Sequence, residues 1–209
     1  ATVGESLPHG TRVVVMQSTG PVFSSGIDLS AFSAGGDVSP LARVGSLGAA
    51  EAESVIAEYQ AGFTWWHDRD DIVSIAVVQG AAVGAGFQLA LACDLRICGE
   101  SARFAMRETS LGLVPDLGGT HPLVRAVGYS RALEICATGR WVHSEEAYRL
   151  GLATVVSPDE GLRASTTALV DALLSQPVEA LRSTKRCFGP PSIPRPIGSG
   201  RWSDRDRCP

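Results

Sequence analysis

An α/β fold is predicted by three features of this 209-residue chain. Ile72–Val78 is a near-continuous apolar run, the pattern of a strand buried on both faces. It enters a glycine-rich loop, Gly80 to Gly86, which opens directly into a helical stretch, Phe87–Asp94. Before the strand, Glu51–Arg69 carries apolar residues at 55, 56, 59, 63 and 66, the stripe of an amphipathic helix. Strands and helices that alternate in this way give the α/β class.

The other elements follow in order. Arg12–Met16 (RVVVM) reads as a short strand, with a loop over Gln17–Gly26 after it. Phe32–Gly48 is rich in Gly, Ser and Ala and is expected to be a mobile loop. Leu95–Cys98 and Arg103–Met106 read as further short strands. Beyond Thr120 the chain turns helical: Pro122–Val127, then Arg131–Thr138 behind a Ser130 cap, then Glu145–Leu150 behind a Ser144 cap. Leu152–Val156 is a strand, and Asp159–Leu174 and Val178–Phe188 are helices. The last 21 residues hold five prolines and no apolar periodicity, so they read as a disordered Pro/Arg-rich tail. The expected division is a core over 1–120, a helical part of the same domain over 121–188, and the tail over 189–209. No internal repeat is visible in the sequence.

Composition narrows the function. A chain that is 44% hydrophobic and 19% charged is a soluble globular protein. A net charge of −4, with no Lys/Arg-rich run, argues against a nucleic-acid binder. No apolar run reaches transmembrane length, and ATVGESLPHGTR lacks the pattern of a secretory signal. The five cysteines form no C-x-x-C pair, so reduced thiols in a cytoplasmic protein are expected. Cys93 and Cys98 have no His nearby and read as core residues, and no metal site is expected.

The chemistry concentrates between Val73 and Thr120. Free N–H groups at a helix start attract negative charge, because the first turn lacks intrahelical acceptors and carries the positive end of the dipole. Gly84, Ala85 and Gly86 would let a ligand approach that backbone closely. Two carboxylates follow, Glu108 and Asp116. An anion-stabilising loop followed by candidate acid/base groups has the layout of an active site.

Three segments then occur in order: Phe23-Ser-Ser-Gly-Ile-Asp-Leu29, Gln79-Gly-Ala-Ala-Val-Gly-Ala-Gly86 and Leu111-Gly-Leu-Val-Pro-Asp-Leu-Gly-Gly-Thr120. With Ala137-Thr-Gly-Arg140, Ser144-Glu-Glu-Ala147 and Gly151-Leu-Ala153, they resemble the crotonase superfamily of enoyl-CoA hydratases and isomerases, over roughly Arg12 to Lys185. The resemblance implies a ClpP/crotonase-like spiral of ββα units with a helical C-terminal part, assembled as a homotrimer or hexamer. It implies an acyl-CoA thioester as substrate, coenzyme A being part of that substrate rather than a cofactor, and fatty-acid β-oxidation as the setting. It implies that the N–H groups of Ile27 and Ala85 hold the thioester oxygen as charge develops there. Ser25, Gly26, Asp28, Leu29, Gly84, Gly86 and Pro115 would line the substrate site.

Hydratases of the family carry two glutamates around one water. Glu108 matches the second, but Gln88 stands where the first belongs. Glutamine can bond a water yet cannot take its proton, and loss of one acid/base group costs on the order of 10²–10⁴ in rate. Asp116 lies where several isomerases of the superfamily carry an acid. A proton shuttle is therefore expected, with Glu108 the main base, held by burial beside Leu111 and Val114, and Asp116 a second proton carrier. Hydration is the alternative, and so is a degenerate member that only binds an acyl-CoA or a subunit. The resemblance also implies a segment before Arg12 and a closing final helix, so the chain is expected to be cut short at both ends.

Each residue has a plainer reading. Glu108 could pair with Arg103 or Arg107 at the surface. Asp116, before the Gly-Gly-Thr that leads into a helix, could be an N-terminal cap or a turn residue. Gln88 could bond backbone in the pocket wall, and Asp28 could shape its loop. One of Trp65 and Trp66 is expected in the core, and the four histidines at the surface. Gly84-Ala-Gly-Phe-Gln-Leu89 also resembles a broken dinucleotide fingerprint, with Leu89 at the third glycine. A serine hydrolase lacks support, because there is no G-x-S-x-G.

Overall fold

A computed structural model describes residue 4, residues 6–28 and residues 47–188. Leu29, the expected loop up to residue 46 and the tail 189–209 lie outside the described residues. The strands are β1 (Val13–Gln17), β2 (Val73–Val78), β3 (Ala81–Val83), β4 (Leu95–Gly99), β5 (Arg103–Ala105), β6 (Val142–His143) and β7 (Val155–Ser157). The helices are α1 (Ala49–Asp68), α2 (Ala85–Ala92), α3 (Thr120–Val127), α4 (Tyr129–Thr138), α5 (Ser144–Arg149), α6 (Leu162–Leu174) and α7 (Val178–Phe188). Short 3₁₀ turns lie at Glu108–Leu111 and Asp159–Gly161.

Four parallel strands make one sheet in the order β1-β2-β4-β7, and three make a second in the order β3-β5-β6. Each turn of chain contributes first to the larger sheet and then to the smaller one. Thus β2 runs into β3 and then α2, β4 runs into β5, and β1 leads to Ser24, which bridges Ala82 in parallel. Bonds from Ser24 N–H to Ala81 O (3.0 Å) and from Arg103 N–H to Gly80 O (2.9 Å) stack one turn on the next. This is the ββα spiral implied by the resemblance. Its repeat is one of backbone position, which explains why no sequence repeat is visible.

Burial follows from the strand period of two. All six residues of β2 are buried. Ile75 and Val77 face Leu162 and its helix α6, while Ala76 and Val78 join Phe87, Leu91 and Phe104 on the other side. Strands sandwiched this way must be apolar throughout, as Ile72–Val78 is. Helix α2 has six of its eight residues buried, Gln88 among them, and its Phe87, Ala90 and Leu91 share a core with residues of both sheets, so it has almost no polar face. Trp66 is the buried tryptophan and caps a third cluster with Ile72 and Ala92.

Two details differ from the sequence reading. The Gly80–Gly86 segment contains β3, a three-residue strand between glycines that no periodicity could reveal. The helix caps at Ser130 and Ser144 are absent: α4 and α5 begin after Gly128 and His143 without a side-chain cap. Ser144 Oγ donates instead to Glu100 O at 2.9 Å, tying α5 to the end of β4. Cys93, Cys98 and Cys136 are free thiols, and burial pushes Cys93 and Cys98 up to about 12. Among the described residues no helix is long and apolar enough to cross a membrane.

Candidate active site

The three motif segments meet at the start of α2. Ser24 accepts from Val83 N–H through its carbonyl at 3.0 Å, which sets the Phe23–Asp28 turn beside the end of β3. The approach demands glycine at two positions. A Cβ on Gly26 would lie 2.8 Å from Val83 O, and one on Gly86 would lie 2.6 Å from Ser24 Oγ. Gly26 (φ +94°) and Gly84 (φ +51°) also adopt backbone conformations that L side chains rarely take. Ile27 and Asp28 are exposed, as is Ser25, and Ala85 is half-buried at the first position of α2. Among the bonds the described residues make with one another, neither Ile27 N–H nor Ala85 N–H is a donor. Both expected donors are thus available on adjoining turns of backbone.

Glu108 opens the 3₁₀ turn after β5 and is only 9% exposed. Its carboxylate lies over Gly84, where an added Cβ would sit 3.4 Å from Oε1. Gln88 Nε2 donates to Glu108 Oε1 at 2.7 Å, while Glu108 Oε2 is buried with no hydrogen-bond partner. Burial, the largest cause, raises the Glu108 pKa above its ordinary value; its own backbone N–H and then the Gln88 bond oppose this, the nearby Asp116 charge adds to it, and the Arg107 N–H opposes it weakly. A carboxylate that is desolvated and short of donors is a stronger base than one in water.

The plainer readings of these residues fare differently from one another. Arg103 and Arg107 do not pair with Glu108; their guanidinium groups lie over the Trp141 ring at 4.5 and 5.2 Å. Helix α3 begins after Gly119 with no side-chain cap, so Asp116 is not its N-cap. Instead the Asp116 backbone carbonyl accepts from Gln60 Nε2 of α1 at 2.5 Å, which fixes the turn holding half-buried Pro115 and Asp116. Gln88 does bond backbone: its Oε1 accepts from Leu117 N–H at 3.0 Å and Gly119 N–H at 3.1 Å. One expected neighbour is corrected. Leu111 and Val114 are 52% and 69% exposed, so they do not bury Glu108; Gly84 and Gln88 lie against its carboxylate instead.

A second polar centre was missed by the sequence reading. Asp94 Oδ2 accepts from Ser74 N–H (2.7 Å), Ser74 Oγ (2.9 Å) and Lys185 Nζ (2.8 Å). Lys185 also donates to Ile72 O and Trp66 O, clamping α7 to the end of α1 and the start of β2. His67, half-buried rather than on the surface, places Nδ1 3.9 Å from Asp94 Oδ1, and burial lowers its pKa. A cavity of about 430 Å³ adjoins this centre, lined in part by His67, Arg96, Arg125, Leu181 and Phe188. None of the expected site residues lines it. Arg96, a buried cation, spends its guanidinium on the carbonyls of Leu152, Ala90 and Cys93. Among the described residues no group of three His, Cys, Asp or Glu could hold a metal ion.

Comparison with known proteins places this arrangement. The sequence profile of the family described as "Enoyl-CoA hydratase/isomerase" matches residues 8–192. A Dictyostelium discoideum protein named "Probable enoyl-CoA hydratase, mitochondrial" is 37% identical over 147 residues, covering 69% of this chain and 50% of its own. A Bacillus subtilis protein named "Probable enoyl-CoA hydratase" is 33% identical over 151 residues, covering 72% of this chain and 54% of its own. The chain thus spans about half the length of these curated relatives. A candidate enoyl-CoA hydratase of Thermobifida fusca, crystallised with acetoacetyl-CoA, superposes with a TM-score of 0.83 at 48% identity, over 89% of this chain and 72% of that one. The same protein with CoA gives a TM-score of 0.81 at 50% identity.

Proposed function

Since the chain belongs to the enoyl-CoA hydratase/isomerase family, we propose that it binds an acyl-CoA thioester and stabilises its enolate between the N–H groups of Ile27 and Ala85. The observation that carries this reading is the position of Glu108 beside Gly84, buried, with Oε2 unpartnered, next to a helix start whose first N–H is available. Charge that develops on a thioester oxygen there would meet two backbone dipoles and the positive end of α2. Glu108 would take a proton from the acyl chain and return it to another carbon. Double-bond isomerisation is favoured over water addition because the second hydratase carboxylate is the amide Gln88, committed to Glu108 and to two backbone N–H groups. Asp116 would be a second proton carrier.

Ser25, Gly26 and Asp28 on one turn, Gly84 and Gly86 on a second and Pro115 on the turn with Asp116 would contact the thioester and its acyl chain. No cofactor beyond the substrate's own coenzyme A is invoked, and the expected setting is fatty-acid β-oxidation by a trimer or hexamer. The hydratase reading keeps one support of its own, the names borne by the relatives. A family member that binds acyl-CoA without turnover is the third reading. Parallel assays for double-bond migration and for water addition with an enoyl-CoA separate them. Migration lost in Glu108→Gln supports the proposal, water addition at an ordinary enzymatic rate supports the hydratase, and binding with neither reaction supports the third.

A further inference from the structure

The orientation of the Gln88 amide is fixed from both ends. Two N–H groups, of Leu117 and Gly119, point at its Oε1 at 3.0 and 3.1 Å, so the oxygen must face them and the NH₂ must face Glu108. A flipped amide would set donor against donor on one side and oxygen against carboxylate on the other. The side chain has no room to swing: a Cβ on Gly119 would lie 2.7 Å from Gln88 Cγ, and Gln88 is 1% exposed. With Nε2 2.7 Å from Glu108 Oε1, that oxygen is occupied, and Oε2 is the one left buried without a donor.

We infer that Gln88 is a positioning residue whose fixed amide holds Glu108 Oε1 as an acceptor and leaves Oε2 as the atom that carries the substrate's proton. The inference rests on the role proposed above for Glu108. In the step, a C–H bond next to the thioester breaks, its electron pair enters the enolate, and the proton bonds to Oε2. In the return, the Oε2–H bond breaks, the conjugated enolate supplies the electron pair to the distal carbon, and the carboxylate is restored. No oxidant, reductant or co-reactant is consumed. The Gln88 bond also favours the ionised form of Glu108, together with the backbone N–H groups of Glu108 and Arg107, against the larger effect of burial. The titratable groups that act on or feel Glu108 are Asp116, on the loop after its turn, and Cys136, on α4. Helix α2 carries no ionisable side chain, and Arg103 and Arg107 are held over Trp141.

The test pairs the ionisation of Glu108, read by carbon-13 NMR of labelled glutamate side chains, with pH profiles of double-bond migration, in the wild type, Gln88→Met and Gln88→Glu. In Gln88→Met, Glu108 titrates at higher pH than in the wild type. The acidic limb of the profile follows it, and kcat near neutral pH falls about tenfold to a hundredfold with KM little changed. Gln88→Glu keeps acceptors for Leu117 and Gly119 N–H but sets a second carboxyl against Oε1, so the pair titrates in coupled steps and the limb moves higher still. An unmoved Glu108 titration in Gln88→Met overturns the inference, whatever the turnover. If that variant does not fold, an unmoved titration in Gln88→Glu does the same. Because the NMR readout needs no turnover, a wild type inactive on enoyl-CoA sinks the functional reading separately from this one.

Discussion

Asp94 and Glu108 are both carboxylates at the ends of secondary-structure elements, both largely removed from water, yet they are equipped for opposite tasks. Asp94 Oδ2 collects three donors, one of them the Lys185 ammonium, whereas Glu108 receives one side-chain donor, on Oε1, and Oε2 is left without a hydrogen-bond partner. A saturated carboxylate holds pieces of structure together, here β2, the end of α2 and α7. A carboxylate left short of partners is held at a cost and keeps its basicity for something that arrives. The contrast also separates chemistry from shape. The cavity of about 430 Å³ adjoins Asp94, while Glu108, the proposed base, sits under the glycine turns.

The largest effects should split along this line. Glu108→Gln should lower turnover of an enoyl-CoA by about 10²–10⁴, roughly 3–5 kcal/mol of transition-state stabilisation, without loss of Tm. Asp94→Ala should do the reverse. Lys185 and Asp94 are only 12% and 15% exposed, so stranding the ammonium should cost about 3 kcal/mol of stability, read from denaturant unfolding. If Asp94→Ala proves as stable as the wild type, or Glu108→Gln unfolds, the division of roles is wrong.

Smaller effects sharpen it. Gly84→Ala should cost about 1–2 kcal/mol of stability, because φ of +51° strains any L residue. It should also lower turnover by at least about tenfold, since the Ala85 N–H it precedes would be re-aimed. A Gly84→Ala variant with intact turnover would remove that N–H from the account. The smallest effect is one of pH. Burial raises the Glu108 pKa in the folded state, so the folded protein binds that proton more tightly than the unfolded chain. Stability is therefore lost as pH rises from the ordinary carboxylate range through the raised value. Glu108→Gln should gain Tm over the wild type at pH 7 and show no gain below about pH 4. An equal gain at both pH values would mean that desolvation of Glu108 is not the cause.

How far the sequence revealed these two centres follows from the range of the interactions. Ile72–Val78 announced a doubly covered strand because its apolar run is local, and Gly84–Gly86 announced a close approach because only glycine fits there. The Glu108 centre was legible through its motif segments. The Gln88 bonds were legible only in part, since they join residues 20 to 31 positions apart. The Asp94 clamp was not legible at all: Lys185 lies 91 residues away and reads as an ordinary helix-end cation. Leu111 and Val114 misled in the opposite sense, as apolar residues beside a motif that stand exposed. Ser144 misled because a hydroxyl before a helix can cap it or turn to another strand, and spacing does not distinguish the two.

Exchange of the acyl α-hydrogen of a short saturated acyl-CoA in D₂O, followed by mass spectrometry, tests the central claim most directly. It reads enolate formation alone, whichever of isomerisation or hydration the substrate would undergo. Deuterium uptake by the wild type that falls at least a hundredfold in Glu108→Gln is the predicted result. Uptake that survives in Glu108→Gln, or tight binding of the thioester with no uptake in the wild type, would contradict it.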